Sequence, residues 1–170
     1  RAQLESVKPN AAHFALAQLE KKYDVTIITQ NVDDLHERAG STKIIHLHGE
    51  LTKAQSTFNS QKVYDIGYKP IKLGDTCEMG SQLRPAVVWF GEAVPKIVEA
   101  QKVVQECDIF IIIGTSMQVY PAAGLIEEAP DHVPIYVIDP NLSHISTSKK
   151  YTFINKSATE GVDLLVKQYL

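Results

Sequence analysis

The sequence predicts an α/β fold, a parallel sheet with helices on both faces plus a small inserted module. Three observations carry this. Short β-branched runs alternate with stretches of helical periodicity, the order that builds a parallel sheet covered on both sides. The strands read as continuous apolar runs, as in Ile109-Phe110-Ile111-Ile112-Ile113, rather than as an apolar/polar alternation. From Leu51 to Arg84 the pattern decays into polar residues punctuated by Gly67, Pro70, Gly74 and Gly80, which marks a small module or long loop outside the main core.

Taken in order, Asn10 precedes an apolar stripe of Ala12, Ala15, Leu16 and Leu19, which predicts the first helix. Residues 25–29 (VTIIT) are β-branched throughout and too short for a helix, so they predict a strand buried on both faces. Residues 31–38 predict a short helix stopped by Gly40, and residues 43–48 a second strand. After the module, residues 86–90 predict a strand and Pro95 opens a helix at its first position. Strands over 108–113, 135–138 and 151–154 follow, with a helix after Pro121 between the first two. In the last helix Ser157 stands three residues before Glu160, a capping-box spacing, and Val162, Leu165, Val166 and Tyr169 share a face.

Composition narrows the function. The 170 residues carry 17 Lys+Arg against 20 Asp+Glu, a formal charge of −3, and 44% hydrophobic residues. That is enough apolar material for one domain with a core, and it excludes disordered and fibrous classes. With no basic run, nucleic-acid binding through the phosphate backbone is not expected. The longest apolar stretches fall far short of the roughly 20 residues of a membrane helix, so no membrane association is expected. Arg1-Ala2-Gln3-Leu4-Glu5 has no apolar core of a signal peptide. Cys77 and Cys107 can build neither a disulfide framework nor a four-cysteine zinc site, which suits a reducing cytoplasm.

In open parallel sheets ligands bind beyond the carboxyl ends of the strands. There the sequence places Gln30-Asn31-Val32-Asp33, a set that suits a ligand bearing a carboxamide or simply caps the helix. His46 and His48 fall on one strand face with Glu50 in phase. They read either as metal ligands, wide at roughly 7 Å per strand repeat, or as a lone histidine base with Gly49 admitting a substrate. Gly114-Thr115-Ser116 is a donor-rich turn of the kind that holds phosphate. Asp139-Pro140-Asn141 offers either a ribose contact or an Asx turn. The apolar strand ending Trp89-Phe90-Gly91-Glu92 is either buried or able to take an extended peptide at its edge.

In this order and spacing, TQNVDDLHERAG, HLHGEL, LRPAVVWFGEAVP and GTSMQVYPAA resemble the sirtuins, NAD-dependent protein lysine deacylases, over nearly the whole chain outside 52–83. The resemblance implies a Rossmann-like NAD-binding domain over 1–50 and 84–170, lacking the family's first βα unit, with a small module over 51–83 at the family's zinc-module position. It implies NAD as co-substrate and an acyl-lysine protein or peptide as partner. Gln30, Asn31, Val32 and Asp33 match the nicotinamide and ribose contacts, and His48 the catalytic base. Gly114, Thr115 and Ser116 match the phosphate and ribose turn, Asn141, Leu142 and Ser143 the adenosine ribose loop, and Ala158 the adenine contact. Val88, Phe90, Gly91 and Glu92 match the peptide strand and acyl-lysine tunnel. The implied reaction displaces nicotinamide with the acyl oxygen and leaves O-acyl-ADP-ribose and free lysine. Most sirtuins hold zinc with four cysteines in the module; with Cys77 alone there, no zinc is expected, and Tyr64, Ile66, Tyr68, Ile71 and Leu73 are expected to pack together instead. The implied acyl group is acetyl, or the succinyl or malonyl of the bacterial desuccinylase branch.

Overall fold

The computed structural model describes residues 1–141, 145 and 147–170. Helix α1 (Ala2–Ser6) leads into α2 (Ala11–Leu19), whose start is fixed by Asn10. The Asn10 side chain accepts from the Ala12 and His13 amides, and the His13 ring in turn accepts from the Asn10 amide, so orphan amides of the first turn are paired. Strand β1 (Ile27–Thr29) pairs in parallel with β2 (Ile44–His46), and between them α3 (Leu35–Ala39) is closed by Gly40 in the left-handed region. A second parallel group joins β6 (Phe110–Ile113), β7 (Ile135–Ile138) and β8 (Thr152–Ile154), in that order.

The third sheet is antiparallel. Strand β3 (Gly49–Ser56) follows β2 almost without a break and lies between β4 (Val63–Asp65) and β5 (Leu83–Val87). The strand predicted over 86–90 is therefore shifted: it ends at Val87 and belongs to this sheet, because its partner is β3 rather than a parallel neighbour. The helices are α4 (Ile97–Gln105), a 3-10 turn (Ala122–Gly124) running into α5 (Leu125–Glu128), and α6 (Ala158–Gln168). On α6, the Ser157 hydroxyl accepts from the Glu160 amide, as the capping spacing predicts.

Two apolar clusters show that both faces of the parallel sheet are covered. Ile45, Leu47, Ile112, Ile135 and Val137 pack with Val104 of α4 and Leu125 and Ile126 of α5. On the other face Ile138 and Ile154 pack with Leu16 and Leu19 of α2 and Val162 and Leu165 of α6. Burial of these side chains is the main source of stability for the fold.

The strand predicted to be buried on both faces is only half-buried at Ile27 and Ile28. Among the described residues β1 pairs only with β2 and β6 only with β7, and a cavity of about 790 Å³ is lined by both β1 and β6, through Ile27, Ile28, Ile111 and Ile113 among others. Gln30 and Thr115, just past the ends of the two strands, are joined by a hydrogen bond of 3.3 Å from Gln30 Nε2 to Thr115 Oγ1. The carboxyl ends of β1 and β6 therefore open on one mouth.

Hydrogen bonds hold the inserted segment, and Leu73 stands outside the apolar packing expected there. Leu73 is 97% exposed, the Tyr64 hydroxyl donates to the Glu78 carboxylate, and the Tyr68 hydroxyl donates to Asp34 Oδ2 at 2.6 Å. Gln82 acts as a hub, accepting from the Gly74 amide and donating to the carbonyls of Lys72, Asp75 and Leu83. Among the described residues no helix is long and apolar enough to cross a membrane.

Candidate active site

Strand β2 aims its end at the loop that follows β1. Strand β2 ends at His46 and residues 47 and 48 turn toward β3; Leu47 enters the core at 1% exposure while the histidines on either side reach carbonyls of the loop. His48 Nδ1 lies 3.1 Å from the Gln30 carbonyl oxygen. A carbonyl can only accept, so Nδ1 carries the proton and Nε2 keeps its lone pair, the tautomer a base requires.

The loop itself is tightly specified. The Thr29 hydroxyl accepts from the Asn31 amide at 3.0 Å, and Asp33 Oδ1 accepts from the Leu35 amide at 3.0 Å, so Asp33 sets the entry to α3. Across the mouth, Gly114 takes a positive φ of 59° and donates its amide to the Ile138 carbonyl, linking the turn to β7. Thr115 Oγ1 accepts from the Met117 amide as well as from Gln30. Gln30, Asn31, Gly114, Thr115 and Ala158 all border the same cavity, so the structure brings together residues of two of the predicted strings and Ala158. Asn141 donates its amide to Asp139 Oδ1 at 2.7 Å, an Asx turn beyond β7. Leu142 and Ser143 lie outside the described residues.

Gly49 does something other than admit a substrate. Its φ is +78°, and a Cβ there would stand 2.0 Å from the Ala86 carbonyl oxygen. The glycine lets β5 approach the strand that carries His48, and the Val88 amide then donates to the His48 carbonyl at 2.9 Å. Beyond Val88 the chain turns: Glu92 accepts from the Trp89 amide at 3.0 Å and pairs with Arg84 at 3.1 Å. These two contacts, the amide first, hold the Glu92 carboxyl below its ordinary value. Phe90 is 98% exposed at the tip of this turn.

His46 is not a partner of His48. Its Nε2 lies 2.6 Å from Glu37 Oε1. The ligand atoms of Glu37, His46 and Glu50 lie within 4.8 Å of one another, a spacing a cation could use. However, Glu37 is matched to the His46 ring and Glu50 to the Lys53 ammonium at 2.8 Å, so this set is an internally paired network. The alternative in which His46, His48 and Glu50 share one metal is not the arrangement the structure adopts. Sequence spacing missed Glu37, which arrives from α3 and has no local signal linking it to β2.

On the cavity wall the rings of His13 and His36 stand 4.7 Å apart between centroids. Burial, and for His36 the neighbouring His13, pushes both below the ordinary histidine value.

The inserted sheet contains a second local centre. Cys77 Sγ lies 3.4 Å from Ser56 Oγ, and both residues are buried. Ser56 Oγ accepts from the Phe58 and Asn59 amides, leaving its hydroxyl proton for the sulfur. The Ser56 hydroxyl, together with backbone contacts from Met79 and Ser81, holds the Cys77 thiol below its ordinary value.

Comparison with known proteins gives a consistent result. The Sir2 family profile matches residues 1–121. An NAD-dependent protein deacylase of Bacteroides thetaiotaomicron is 51% identical over all of this chain and 74% of its own length. One from Helicobacter pylori is 52% identical over 98% of the chain and 73% of its own length. Among solved structures, a Sir2 homologue in complex with NAD superposes with a TM-score of 0.84 at 38% identity, covering 96% of this chain and 66% of that one. A complex of Sir2 with a p53 peptide and NAD+ superposes at 0.78 with 27% identity, covering 98% and 72%.

Proposed function

The chain belongs to the Sir2 family, and on that premise we propose that it removes acyl groups from protein lysines at the expense of NAD, releasing nicotinamide and O-acyl-ADP-ribose. It is an NAD-dependent protein deacylase of the sirtuin type. NAD supplies an anomeric carbon from which nicotinamide can leave. The single observation that carries the assignment of roles is the hydrogen bond from His48 Nδ1 to the Gln30 carbonyl, which leaves Nε2 as the proton acceptor and joins His48 to the residue whose side chain reaches Thr115.

Around that base the residues divide the work. Gln30, Asn31, Val32 and Asp33 hold the carboxamide and ribose end of the cofactor, an assignment supported by the clustering of amides on a hydrogen-bonded loop. Gly114, Thr115 and Ser116 hold phosphate and ribose, supported by the turn geometry at Gly114. Asn141 with Leu142 and Ser143 holds the adenosine ribose, and Ala158 the adenine, supported for Ala158 by its place on the cavity wall. Val88, Phe90, Gly91 and Glu92 receive the substrate peptide and acyl-lysine, supported by the backbone link from Val88 to His48. His48 draws a proton from a ribose hydroxyl, while the surrounding amides orient the reacting groups. The acyl group is acetyl, or succinyl or malonyl, and the reaction belongs to the reducing cytoplasm that two unpaired thiols suit.

The module works without zinc in this reading. Tetrahedral structural zinc needs four nitrogen or sulfur donors, yet Cys77 is the module's one cysteine and its sulfur is satisfied by Ser56. Residues three positions on, Asn59 and Gly80, supply no thiolate. The donor set does not fit the metal.

The assignment is tested with His48→Ala. Turnover of an acyl-lysine peptide is expected to fall by about 10²–10⁴, while the NAD-induced shift in melting temperature persists. Turnover near wild type would remove His48 as the base.

A further inference from the structure

The two histidines around Leu47 face successive carbonyls of one loop. His48 Nδ1 stands 3.1 Å from the Gln30 oxygen, and His46 Nδ1 stands 3.5 Å from the Asn31 oxygen. The second of these is too long to hold the loop alone. The strong bond of His46 is on its other nitrogen, 2.6 Å from Glu37 Oε1. Because the carboxylate accepts, Nε2 donates, and the bond is of the short, charge-assisted kind.

Where these partners lie in the chain matters. Thr29 is the residue of β1 in register with His46, and Glu37 lies in α3, on the far side of the amide loop. Residues 30–34 are therefore spanned by two ties to the same residue of β2: a strand pairing at the near end and the Glu37 bond at the far end. His46 is 5% exposed, so its ring is fixed by packing as well as by hydrogen bonding. The Leu51 amide also donates to the Val32 carbonyl, and Arg38 anchors α3 to the carbonyls of Leu4 and Val7. Losing the Glu37 tie therefore removes the side-chain link from α3 to β2 and loosens the loop that presents the Gln30 carbonyl to His48.

We propose that Glu37 and His46 are positioning residues: their bond seats the amide loop on β2, and so fixes both the aim of Asn31 and Asp33 and the tautomer of His48. The proposal rests on the deacylase reading above for its kinetic consequences and not for its structural ones. It accounts for the burial of His46, which does not line the cavity between β1 and β6, and for the presence of an acidic residue at this position of α3.

The test uses the whole chain labelled with ¹⁵N in its histidine rings, with Glu37→Ala, Glu37→Gln and the shortened Glu37→Asp. In the wild type, His48 is expected to show a single tautomer protonated at Nδ1. Glu37→Ala is expected to turn this into a mixture, and in turnover to raise the nicotinamide inhibition constant and the KM for NAD about tenfold, with the KM for peptide within about twofold. Glu37→Gln, which keeps an acceptor oxygen, is expected to restore both readouts. Glu37→Asp carries the same expectation at smaller amplitude should the alanine variant not fold. The proposal is overturned if the His48 ring spectrum is unchanged in Glu37→Ala and Glu37→Asp, or if the peptide KM moves in step with the nicotinamide constant. A wild type that transfers no acyl group would refute the deacylase reading, and the ring spectra would still decide the role of Glu37.

Discussion

His48, His46 and His36 lie close together in the fold, and their neighbours give them three different tasks. His48 has one ring nitrogen engaged and one free, His46 has its strong bond to a carboxylate, and His36 sits against His13 in a partly apolar cavity. For His36 the consequence is a pH dependence whose sign follows from its lowered folded-state value. Above the ordinary histidine value near 6.5 both folded and unfolded chains hold it neutral, so it costs nothing. As pH falls below that value the unfolded chain takes up a proton that the folded chain resists, and stability drops until the lower folded-state value is passed. NMR titration is expected to place the His36 midpoint below 6.5, and His36→Phe to flatten the stability profile between about pH 6.5 and that midpoint. A His36 midpoint at or above 6.5 would contradict the assignment. Sequence alone singled out the candidate residues here, since histidines, amides and glycines at strand ends are conspicuous. It did not show that Gly49 serves strand approach rather than substrate access, because the Ala86 carbonyl that demands it comes from 37 positions along the chain.

At the scale of elements, the β3–β5 pairing joins His48, the proposed base, to Val88 and the segment proposed to receive the peptide. Gly49→Ala combines a left-handed backbone with a contact of 2.0 Å to a carbonyl oxygen. Its cost is expected to be on the order of 3 kcal/mol, with activity falling further than stability as β5 shifts from His48. A variant with wild-type melting and turnover would show that the two strands tolerate separation. The Ser56–Cys77 centre makes a second prediction: Ser56→Ala leaves the Phe58 and Asn59 amides and the sulfur without their partner and is expected to destabilise the module by about 1–3 kcal/mol. Metal analysis is expected to find no stoichiometric zinc, and one tightly bound zinc per chain would contradict this.

The reasons some elements were legible and others not are local and non-local. Strand β7 falls on the predicted residues because its apolar run is bounded by Pro134 and Pro140, and α6 begins where Ser157 caps it. By contrast six of the eight residues of β3 fall in the stretch from Leu51 that reads as polar loop, since the strand lies in a small antiparallel sheet whose register is set by β4 and β5. Leu73 departs from the packing predicted for the module: it is exposed, and Gln82 ties the neighbouring backbone by hydrogen bonds instead.

For the molecule as a whole, two parallel groups of strands with helices on both faces direct their carboxyl ends toward one mouth, where Gln30 and Thr115 meet. The chain spans about three quarters of the curated relatives it matches most extensively, at 74% and 73% of their lengths. If the mouth holds the nucleotide, NAD is expected to raise the melting temperature in proportion to the logarithm of its concentration above the dissociation constant. Asn31→Ala is expected to weaken that shift. An equal shift in the variant would remove Asn31 from the cofactor contacts.

The most direct test of the central claim is mass spectrometry of the products formed when this chain is incubated with NAD and a mixture of acetyl-lysine and succinyl-lysine peptides. The account predicts free lysine peptide, nicotinamide and an acyl-ADP-ribose whose mass identifies the acyl group. Unmodified NAD and fully acylated peptides after prolonged incubation of folded protein would contradict it.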